Sequence, residues 1–445
     1  MPVLGPRIVV SGTHSGVGKT TVATGLMAAL RRRGLAVASA KVGPDYIDPG
    51  YHSLATGRPG RSLDAWLAGA ALLGPLAADA ARDADVLVVE GVMGLFDGSA
   101  QPGCDGSTAE VARVIGAPVV LVVDAGAMSG SVAAVVHGFA TLDPRVQLAG
   151  VILNRVGSPG HAELLEEALA PLGIPIVGVL EHDDRLTWRE RHLGLVPVAE
   201  DGPAIATAID RLATVMEEAI DVDAVLALAR SAAATTVAER PAARHVADVR
   251  IGLAAGPAFN FTYPENLALL ADAGAELVPF DPLTAPTLPD GCHGLYAAGG
   301  FPEVFGAALA ANTSLLADVR ARVDAGLVVW AECGGLMWLA RSLDGHPLAG
   351  VVPGDVRMTD SLSIGYRTAT TTVACPLGPA GTELRGHEFH RSVIEPAGDA
   401  LELRGRFASG SAGFATPTLL ASYLHQHLAA TPELAEHFVA TAALH

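Results

Sequence analysis

Residues 8–21 read Ile8-Val9-Val10-Ser11-Gly12-Thr13-His14-Ser15-Gly16-Val17-Gly18-Lys19-Thr20-Thr21. An apolar strand leads into a glycine-rich loop, and the loop leads directly into a helix. In this arrangement the N–H groups of the loop and of the helix N-terminus hold phosphate groups. The segment therefore predicts an α/β domain that binds a nucleotide phosphate.

Five residues of this loop and of the helix start have expected roles. Gly16 and Gly18 let the backbone approach the phosphates, and Thr21 lies at the helix start beside them. Lys19 is expected to reach the β and γ oxygens, and Thr20 is expected to bind Mg²⁺. The spacing departs from the strict motif, because five residues rather than four separate the first glycine from Gly18. The alternative is an ordinary glycine-rich turn.

Short apolar runs alternate with helical patterns from residue 7 to about residue 200. The runs are rich in Val, Ile and Leu, which is typical of parallel strands covered on both faces. We predict strands at Arg7–Ser11, Asp85–Glu90, Pro118–Asp124, Leu148–Asn154 and Gly173–Val179, with a crossover helix at Thr20–Arg33 that Gly34 closes.

A second α/β unit is expected after an alanine-rich tail and a linker. Its predicted strands are Val249–Ala254, Gly294–Ala298 and Leu327–Ala331. We therefore predict an α/β protein of two doubly wound domains, at residues 1–235 and 249–445, joined by a linker at residues 236–248.

Composition indicates a well-cored globular protein. The 445 residues are 50% hydrophobic, and a net charge of −18 argues against nucleic acid as a partner. No apolar run reaches the ~18 residues of a membrane span. The N-terminus lacks a signal-peptide pattern, and the four cysteines lack metal-ligand spacing. We expect a cytoplasmic enzyme with no membrane partner.

A second polar cluster is expected from the segment Lys41-Val42-Gly43-Pro44-Asp45-Tyr46-Ile47-Asp48-Pro49-Gly50. Lys41 is suited to a polyphosphate, and Asp45 and Asp48 are suited to a metal. Glu90 ends an apolar strand at the carboxyl edge, where open α/β sheets bind ligands. The alternatives are a surface loop with an Asp cap and, for Glu90, a structural acid.

Two further polar residues follow apolar runs. Asp97, in Gly94-Leu95-Phe96-Asp97-Gly98, is suited either to supporting a site or to capping a turn. Asn154 is suited either to reading the edge of a nucleotide base or to capping the end of its strand.

A candidate nucleophile lies in Trp330-Ala331-Glu332-Cys333-Gly334-Gly335-Leu336-Met337. A buried strand that ends in a small-residue turn around one cysteine predicts a nucleophile elbow. The following helix N-terminus is expected to lower the pKa of the Cys333 thiol. The alternative is a buried inert thiol. For Cys104, Cys292 and Cys375 we expect structural roles.

A thiol nucleophile needs a base and an oxyanion hole. His425 is the best base candidate, and His427 competes with it. Gly299 and Gly300 follow a predicted strand, and their N–H groups are oxyanion-hole candidates. The segment Arg385-Gly386-His387-Glu388-Phe389-His390 is suited either to a metal site or to a polar interface or substrate surface.

These motifs resemble the cobyrinic acid (or hydrogenobyrinic acid) a,c-diamide synthase family of cobalamin biosynthesis. The matching segments are Ser11–Thr21, Lys41–Pro49, Ala331–Met337, Arg385–His390 and Ala421–His425. The N-terminal half resembles dethiobiotin synthetase, and the C-terminal half resembles a class I glutamine amidotransferase. The resemblance implies that ATP phosphorylates a corrin carboxylate, that glutamine is hydrolysed at the thiol, and that ammonia attacks the acyl phosphate.

The resemblance also implies residue roles. They are phosphate contact for Lys19 and Lys41, Mg²⁺ binding for Thr20, Asp45 and Glu90, metal or substrate support for Asp48 and Asp97, and nucleophile and base for Cys333 and His425. The chain departs from the wider amidotransferase pattern at His427, where those enzymes usually carry Glu. What orients the base is therefore left open.

The expected partners are a corrin polycarboxylate, which Arg58 and Arg61 are suited to contact, and L-glutamine. A homodimer is left open. One alternative function is another tetrapyrrole amidotransferase, such as cobyric acid synthase or a nickel-sirohydrochlorin enzyme, against which only the loop at residues 41–49 argues. The other is a partitioning-type switch ATPase with an inactive C-terminal domain.

Overall fold

A computed structural model describes residues 1–99, 105–183, 190–191 and 194–445. Cys104, for which we expect a structural role, lies outside the described residues. The chain divides into two compact units, Met1–Arg240 and Pro241–His445. The domain limits at residues 235 and 249 stay a prediction.

The N-terminal unit is built on a seven-stranded parallel sheet in the order β4-β3-β5-β2-β6-β7-β8. Its strands are β1 Val3–Leu4, β2 Arg7–Gly12, β3 Val37–Val42, β4 Arg61–Leu63, β5 Val86–Glu90, β6 Val119–Asp124, β7 Leu148–Val156, β8 Ile176–Glu181, β9 Glu190–Arg191, β10 Gly194–Leu195 and β11 Thr235–Thr236. Its helices are α1 Lys19–Arg32, α2 Asp48–Thr56, α3 Ala70–Ala80, α4 Thr108–Ile115, α5 Ser131–Thr141, α6 Pro159–Leu169, α7 Gly202–Ala219 and α8 Val222–Ser231.

Strands β2, β3 and β5 are buried along their whole length, because the sheet is covered on both faces. Parallel pairing brings their carboxyl ends to one edge. Lys41, near the end of β3, lies directly opposite Glu90, the last residue of β5. Strand β3 was missed by the sequence analysis, because Val-Ala-Ser-Ala-Lys-Val contains too few large apolar residues.

The C-terminal unit combines two sheets. The first has the order β13-β12-β14-β15-β23-β22, and the second contains a long hairpin of β18 and β19. Its strands are β12 Val249–Ala254, β13 Ala275–Phe280, β14 Gly294–Ala297, β15 Val328–Glu332, β16 Ser342–Leu343, β17 His346–Pro347, β18 Asp355–Thr371, β19 Glu383–Glu395, β20 Leu401–Arg404, β21 Ser409–Ala412, β22 Phe414–Thr416, β23 Leu419–Ser422 and β24 His425–Gln426. Its helices are α9 Pro264–Asp272, α10 Gly306–Ala311, α11 Thr313–Asp324, α12 Gly334–Leu339 and α13 Glu433–Ala443.

Strand β15 lies between β14 and β23 and is parallel to both. Its Trp330 is fully buried and stacks on Tyr296 of β14, with ring centroids 4.3 Å apart. The loops after β14 and β23 therefore flank the turn that follows β15. No helix among the described residues has both the length and the apolar character that crossing a bilayer requires.

The structure confirms the predicted class of two α/β domains. Strand β12 has the predicted bounds, and the other predicted strands differ from the observed ones by up to three residues at an end. The predicted helix Thr20–Arg33 appears as α1, one residue earlier at both ends.

Candidate active sites

The loop between β2 and α1 has the compact shape that its glycines predict. Gly18 has a φ of 96°, which favours glycine. A Cβ at Gly18 would lie only 2.4 Å from Nδ2 of Asn154. That same Nδ2 donates a hydrogen bond of 2.8 Å to the carbonyl of Val17. The Asn154 side-chain amide therefore stabilises the loop. This role differs from the nucleotide-base contact and from the strand cap considered from sequence.

Lys19 and its neighbours begin α1 at this loop. The Lys19 ammonium donates to the His14 carbonyl at 2.9 Å and is buried. Burial and the nearby Lys41 charge lower the pKa of Lys19 to about 8. A bound anion would stabilise the charged form of Lys19 and raise its pKa again, so the site favours negative charge. Gly16 lies in the same loop, and Thr21 lies half-buried in the first turn of α1.

Lys41 is buried at the centre of a polar cluster. Its Nζ lies 2.6 Å from Oδ2 of Asp48 and 2.7 Å from Oε1 of Glu90. These two carboxylates outweigh the effect of burial and raise the pKa of Lys41, so it stays charged. Lysine occurs at only two positions in the whole chain, and both belong to this site.

The carboxylates of the cluster have different surroundings. Glu90 is fully buried, and its Oε1 accepts a hydrogen bond of 2.6 Å from the Thr20 hydroxyl. Burial alone raises the pKa of Glu90, but Lys41 and His52 outweigh it and hold the pKa well below its usual range. The Thr20 hydroxyl also lies 3.3 Å from Oδ2 of Asp48.

Asp45 and Asp97 have backbone partners. Oδ1 of Asp45 accepts from the N–H groups of Ile47 and Asp48 at 2.8 and 3.0 Å, so Asp45 supports the start of α2. Oδ2 of Asp97 accepts from the Gly94 N–H at 2.8 Å, which is the turn-capping alternative. The structure thus brings Asp48, rather than the predicted metal ligand Asp45, to the Thr20 hydroxyl.

The cluster suits Mg²⁺, which prefers oxygen ligands and keeps several waters beside one or two carboxylates. The Thr20 hydroxyl, Asp48 Oδ2 and Glu90 Oε1 converge on each other and on the Lys41 ammonium. Within residues 1–99, 105–183, 190–191 and 194–445, no group of three or more His, Cys, Asp or Glu could form a metal site by itself. The residues therefore fit a phosphate-bound Mg²⁺ better than a dedicated metal cage.

Cys333 occupies a strained turn between β15 and α12. Its φ of 48° and ψ of −102° are unusual for a residue with a side chain. A Cβ at Gly335 would lie 1.9 Å from the Ala297 carbonyl oxygen, so the turn packs tightly against β14. The Cys333 N–H donates to the Ser422 carbonyl at 2.7 Å, which ties the turn to β23.

The expected lowering of the pKa of the Cys333 thiol is wrong. Burial raises the pKa of Cys333, and the carboxylates of Glu303, Glu332 and Glu388 raise it further. The Gly334 N–H opposes this shift, but the helix that follows has only six residues. The thiol therefore needs a base at the moment of reaction.

His425 lies three residues beyond β23, next to the Cys333 turn. Its strand β24 pairs with β19 so that His425 is opposite His387, and the two rings stack with centroids 5.1 Å apart. Burial, His387 and His390 lower the pKa of His425 well below its usual value. The imidazole is therefore neutral, and the same shift makes it a weaker base than a solvent-exposed imidazole.

The two oxyanion-hole candidates lie between the thiol turn and the base. A Cβ at Gly299 would lie 2.4 Å from Cε1 of His425. A Cβ at Gly334 would lie 2.9 Å from the nitrogen of Gly300. Gly299 is thus in contact with the base, and Gly300 is in contact with the elbow.

His427 has other neighbours. Its Nε2 lies 3.8 Å from Oε2 of Glu265, and its ring packs edge-on against Tyr263 with centroids 4.7 Å apart. Glu332 was not among the residues predicted from sequence. Its carboxylate accepts from the Gln426 N–H at 2.8 Å and from the Tyr296 hydroxyl at 3.0 Å. Burial raises the pKa of Glu332 to about 8. An acid directly before the cysteine was the available signal.

The segment 385–390 belongs to β19 and lines the thiol site. Glu388 forms an ion pair with Arg367 at 2.8 Å, and His390 stacks on Tyr423 with centroids 3.8 Å apart. The described residues contain no group suited to a metal here, which contradicts the metal alternative. His387 instead contacts the candidate base.

Comparisons with known proteins match each of the two units to a known domain family. Residues 8–196 match the family model for the CobQ/CobB/MinD/ParA nucleotide binding domain, and residues 250–433 match that for the CobB/CobQ-like glutamine amidotransferase domain. Hydrogenobyrinate a,c-diamide synthases of Streptomyces coelicolor and Thermobifida fusca are 47% and 46% identical, each over 98% of this chain and over 97% and 96% of their own lengths. The cobyrinate a,c-diamide synthase of Syntrophotalea carbinolica is 43% identical over 98% of each chain. This chain belongs to the cobyrinate and hydrogenobyrinate a,c-diamide synthase family.

Arg58 and Arg61, which we expected from sequence to contact the corrin substrate, have other contacts in the structure. Arg58 donates to the carbonyls of Arg82 and Asp83. Arg61 lies 3.4 Å from the carboxylate of Asp79. The structure therefore gives both arginines structural contacts, and it does not single them out as a substrate surface.

Gly299→Ala tests the contact between the turn that follows β14 and His425, the candidate base. The added methyl group cannot fit 2.4 Å from the His425 ring, so the ring must move. We expect glutamine-dependent product formation to fall at least about 10-fold, since misplacement by an ångström costs up to about 10²-fold. Rates with glutamine and with ammonium chloride are compared. Gly410→Ala, with open space around its Cβ, is the control, and an unchanged glutamine rate in Gly299→Ala would contradict the placement.

Proposed function

We propose that this protein is an ATP- and glutamine-dependent ligase that amidates the a and c acetate carboxylates of a corrin acid in cobalamin biosynthesis. The observation that carries the proposal is that one chain holds both a phosphate site with two buried lysines and a strained cysteine elbow. Near full-length identity to named a,c-diamide synthases supports the same conclusion.

In the proposed first step, a carboxylate oxygen of the corrin attacks the γ-phosphorus of ATP, and ADP leaves. Lys19 and Lys41 would offset the charge that develops on the phosphate oxygens. Thr20, Asp48 and Glu90 would hold Mg²⁺, which supplies further charge compensation when bound, with Asp45 fixing the helix that carries Asp48. The product is an acyl phosphate, a far better electrophile than the carboxylate.

In the proposed second site, Cys333 Sγ attacks the side-chain amide carbon of glutamine. His425 would take the thiol proton and pass it to the departing ammonia, leaving a thioester that water hydrolyses to glutamate. The N–H groups near Gly299 and Gly300 are proposed to hold the oxyanion. Ammonia then attacks the acyl phosphate carbon, and phosphate leaves as the amide forms.

The proposal includes a cytoplasmic location, where ATP and glutamine are both available. Hydrogenobyrinate and the cobalt-containing cobyrinate are both candidate substrates, and either acetate carboxylate is a candidate for the first amidation. The relatives with 46–47% identity carry hydrogenobyrinate in their names, and those with 40–43% identity carry cobyrinate.

The test is to offer the purified protein hydrogenobyrinate and cobyrinate separately, each with ATP, Mg²⁺ and glutamine. Mass spectrometry of the corrin counts the amide groups, and fragmentation locates them. We expect a diamide with amides at a and c. Amidation at other side chains would favour a cobyric acid synthase-like enzyme. ATP hydrolysis without any amide would favour a switch ATPase.

A further inference from the structure

Helix α2 contributes two side chains to the phosphate site, and only the first was expected from the sequence. Asp48 begins the helix, and His52 lies four residues later, on the same face. The side chain of His52 is fully buried, and its Nε2 lies 2.6 Å from Oε2 of Glu90. None of the roles assigned so far uses His52.

The two oxygens of Glu90 have separate partners. Oε1 accepts from the Thr20 hydroxyl at 2.6 Å and from the Lys41 ammonium at 2.7 Å. Oε2 faces the His52 ring. An ionised carboxylate can only accept, so the His52 ring carries its hydrogen on Nε2 and donates it. His52 Nδ1 has no hydrogen-bond partner among the described residues, which agrees with this tautomer.

This division has a geometric consequence. Because His52 holds Oε2, it opposes rotation of the Glu90 carboxylate and helps to keep Oε1 directed at Thr20 and Lys41. Without the donor, a buried anionic oxygen would lack a partner, and the carboxylate would turn to find one. In the intact site, helix α2 thus supplies Asp48 and, through His52, fixes the direction of Glu90.

We propose that His52 is a positioning residue that holds Glu90 in the orientation required to bind the nucleotide-associated divalent cation. The inference deepens the proposed function and rests on it for the identity of the cation site. Outer-shell donors to metal-binding groups typically matter by about 10- to 100-fold in metal affinity or activity.

The experiment compares two amide substitutions in the full-length protein. In His52→Gln the amide nitrogen can occupy the place of Nε2 and donate to Glu90. In His52→Asn the amide is shorter and cannot reach it. Tyr51→Phe is the control, because it removes a different buried hydrogen bond of α2, the 2.7 Å bond to the Val196 carbonyl.

The readout is the dissociation constant of Mn²⁺, measured by electron paramagnetic resonance with a non-hydrolysable ATP analogue. We expect His52→Asn to weaken Mn²⁺ binding about 10- to 100-fold, and His52→Gln and Tyr51→Phe to stay within about threefold of wild type. In turnover, His52→Asn should raise KM for the ATP–metal complex and leave KM for glutamine unchanged.

Equal Mn²⁺ affinity in His52→Asn and His52→Gln would overturn the inference, whether both are weak or both are normal. Circular dichroism and thermal unfolding check that each variant folds. If His52→Asn does not fold, His52→Ala, which also lacks the donor, replaces it in the comparison with His52→Gln. A wild-type protein that binds Mn²⁺ and nucleotide but forms no corrin amide would overturn the proposed function alone.

Discussion

Cys333→Ser should abolish glutamine-dependent amidation and spare amidation driven by ammonium salts. Serine keeps nearly the same volume, so the elbow should fold as before. A hydroxyl is far less acidic than a thiol and forms no thioester at a useful rate. We expect a loss on the order of 10³-fold or more with glutamine. The assay measures corrin amide with glutamine and with ammonium chloride, side by side.

The matched control is Cys375→Ser, which changes another buried thiol of the same unit. It should leave the amidation rates with both nitrogen sources unaffected.

Because burial raises the pKa of Cys333, little thiolate forms without a base, so His425→Ala should lose nearly as much glutamine activity as Cys333→Ser. Equal loss with both nitrogen sources would refute the division into two sites, and unchanged glutamine use would remove Cys333 as the nucleophile.

Local motifs explain why the two sites could be predicted from sequence. The phosphate loop and the cysteine elbow are each a strand, a small-residue turn and a helix that are contiguous in the chain. Their chemistry depends on neighbouring residues, so Lys19, Thr20 and Cys333 could be named before any tertiary contact was known.

Contacts between distant elements explain what the sequence did not reveal. His387 meets His425 only because β19 pairs with β24 in one register. His52 meets Glu90 only because the packing of α2 places the His52 ring beside the last residue of β5. Asp45 and Asp48 are equivalent acids in the sequence, and the start of α2 at Asp48 decides which one turns to the helix backbone.

The error in the pKa of the thiol has the same origin. A helix N-terminus beside Cys333 is visible in the sequence, and its effect is local and modest. Burial and three carboxylates from separate elements have the opposite effect and are larger. Desolvation is a property of the packed unit, so no local pattern around Cys333 indicates it.

Lys19→Ala should remove amidation with either nitrogen source, which is the complement of the cysteine result. The acyl phosphate must form before any ammonia can be used, and its transition state gathers negative charge on the phosphate oxygens. Lys19 is one of only two lysines in the chain, and its buried ammonium lies where the loop would hold those oxygens. Losing one such charge-stabilising donor costs about 10²- to 10³-fold.

The control for Lys19→Ala is Arg31→Ala, which removes an exposed cation from the same helix α1. Its rates should match wild type with both nitrogen sources. Labelling of Cys333 by a glutamine-mimic electrophile should persist in Lys19→Ala, because the thiol lies in a separate compact unit with its own core and its own candidate base. If Lys19→Ala kept ammonia-driven synthesis, the phosphate loop could not be the site of carboxylate activation. If it instead lost only glutamine-driven synthesis, Lys19 would have to act on ammonia supply, which its hydrogen bond to the His14 carbonyl does not support.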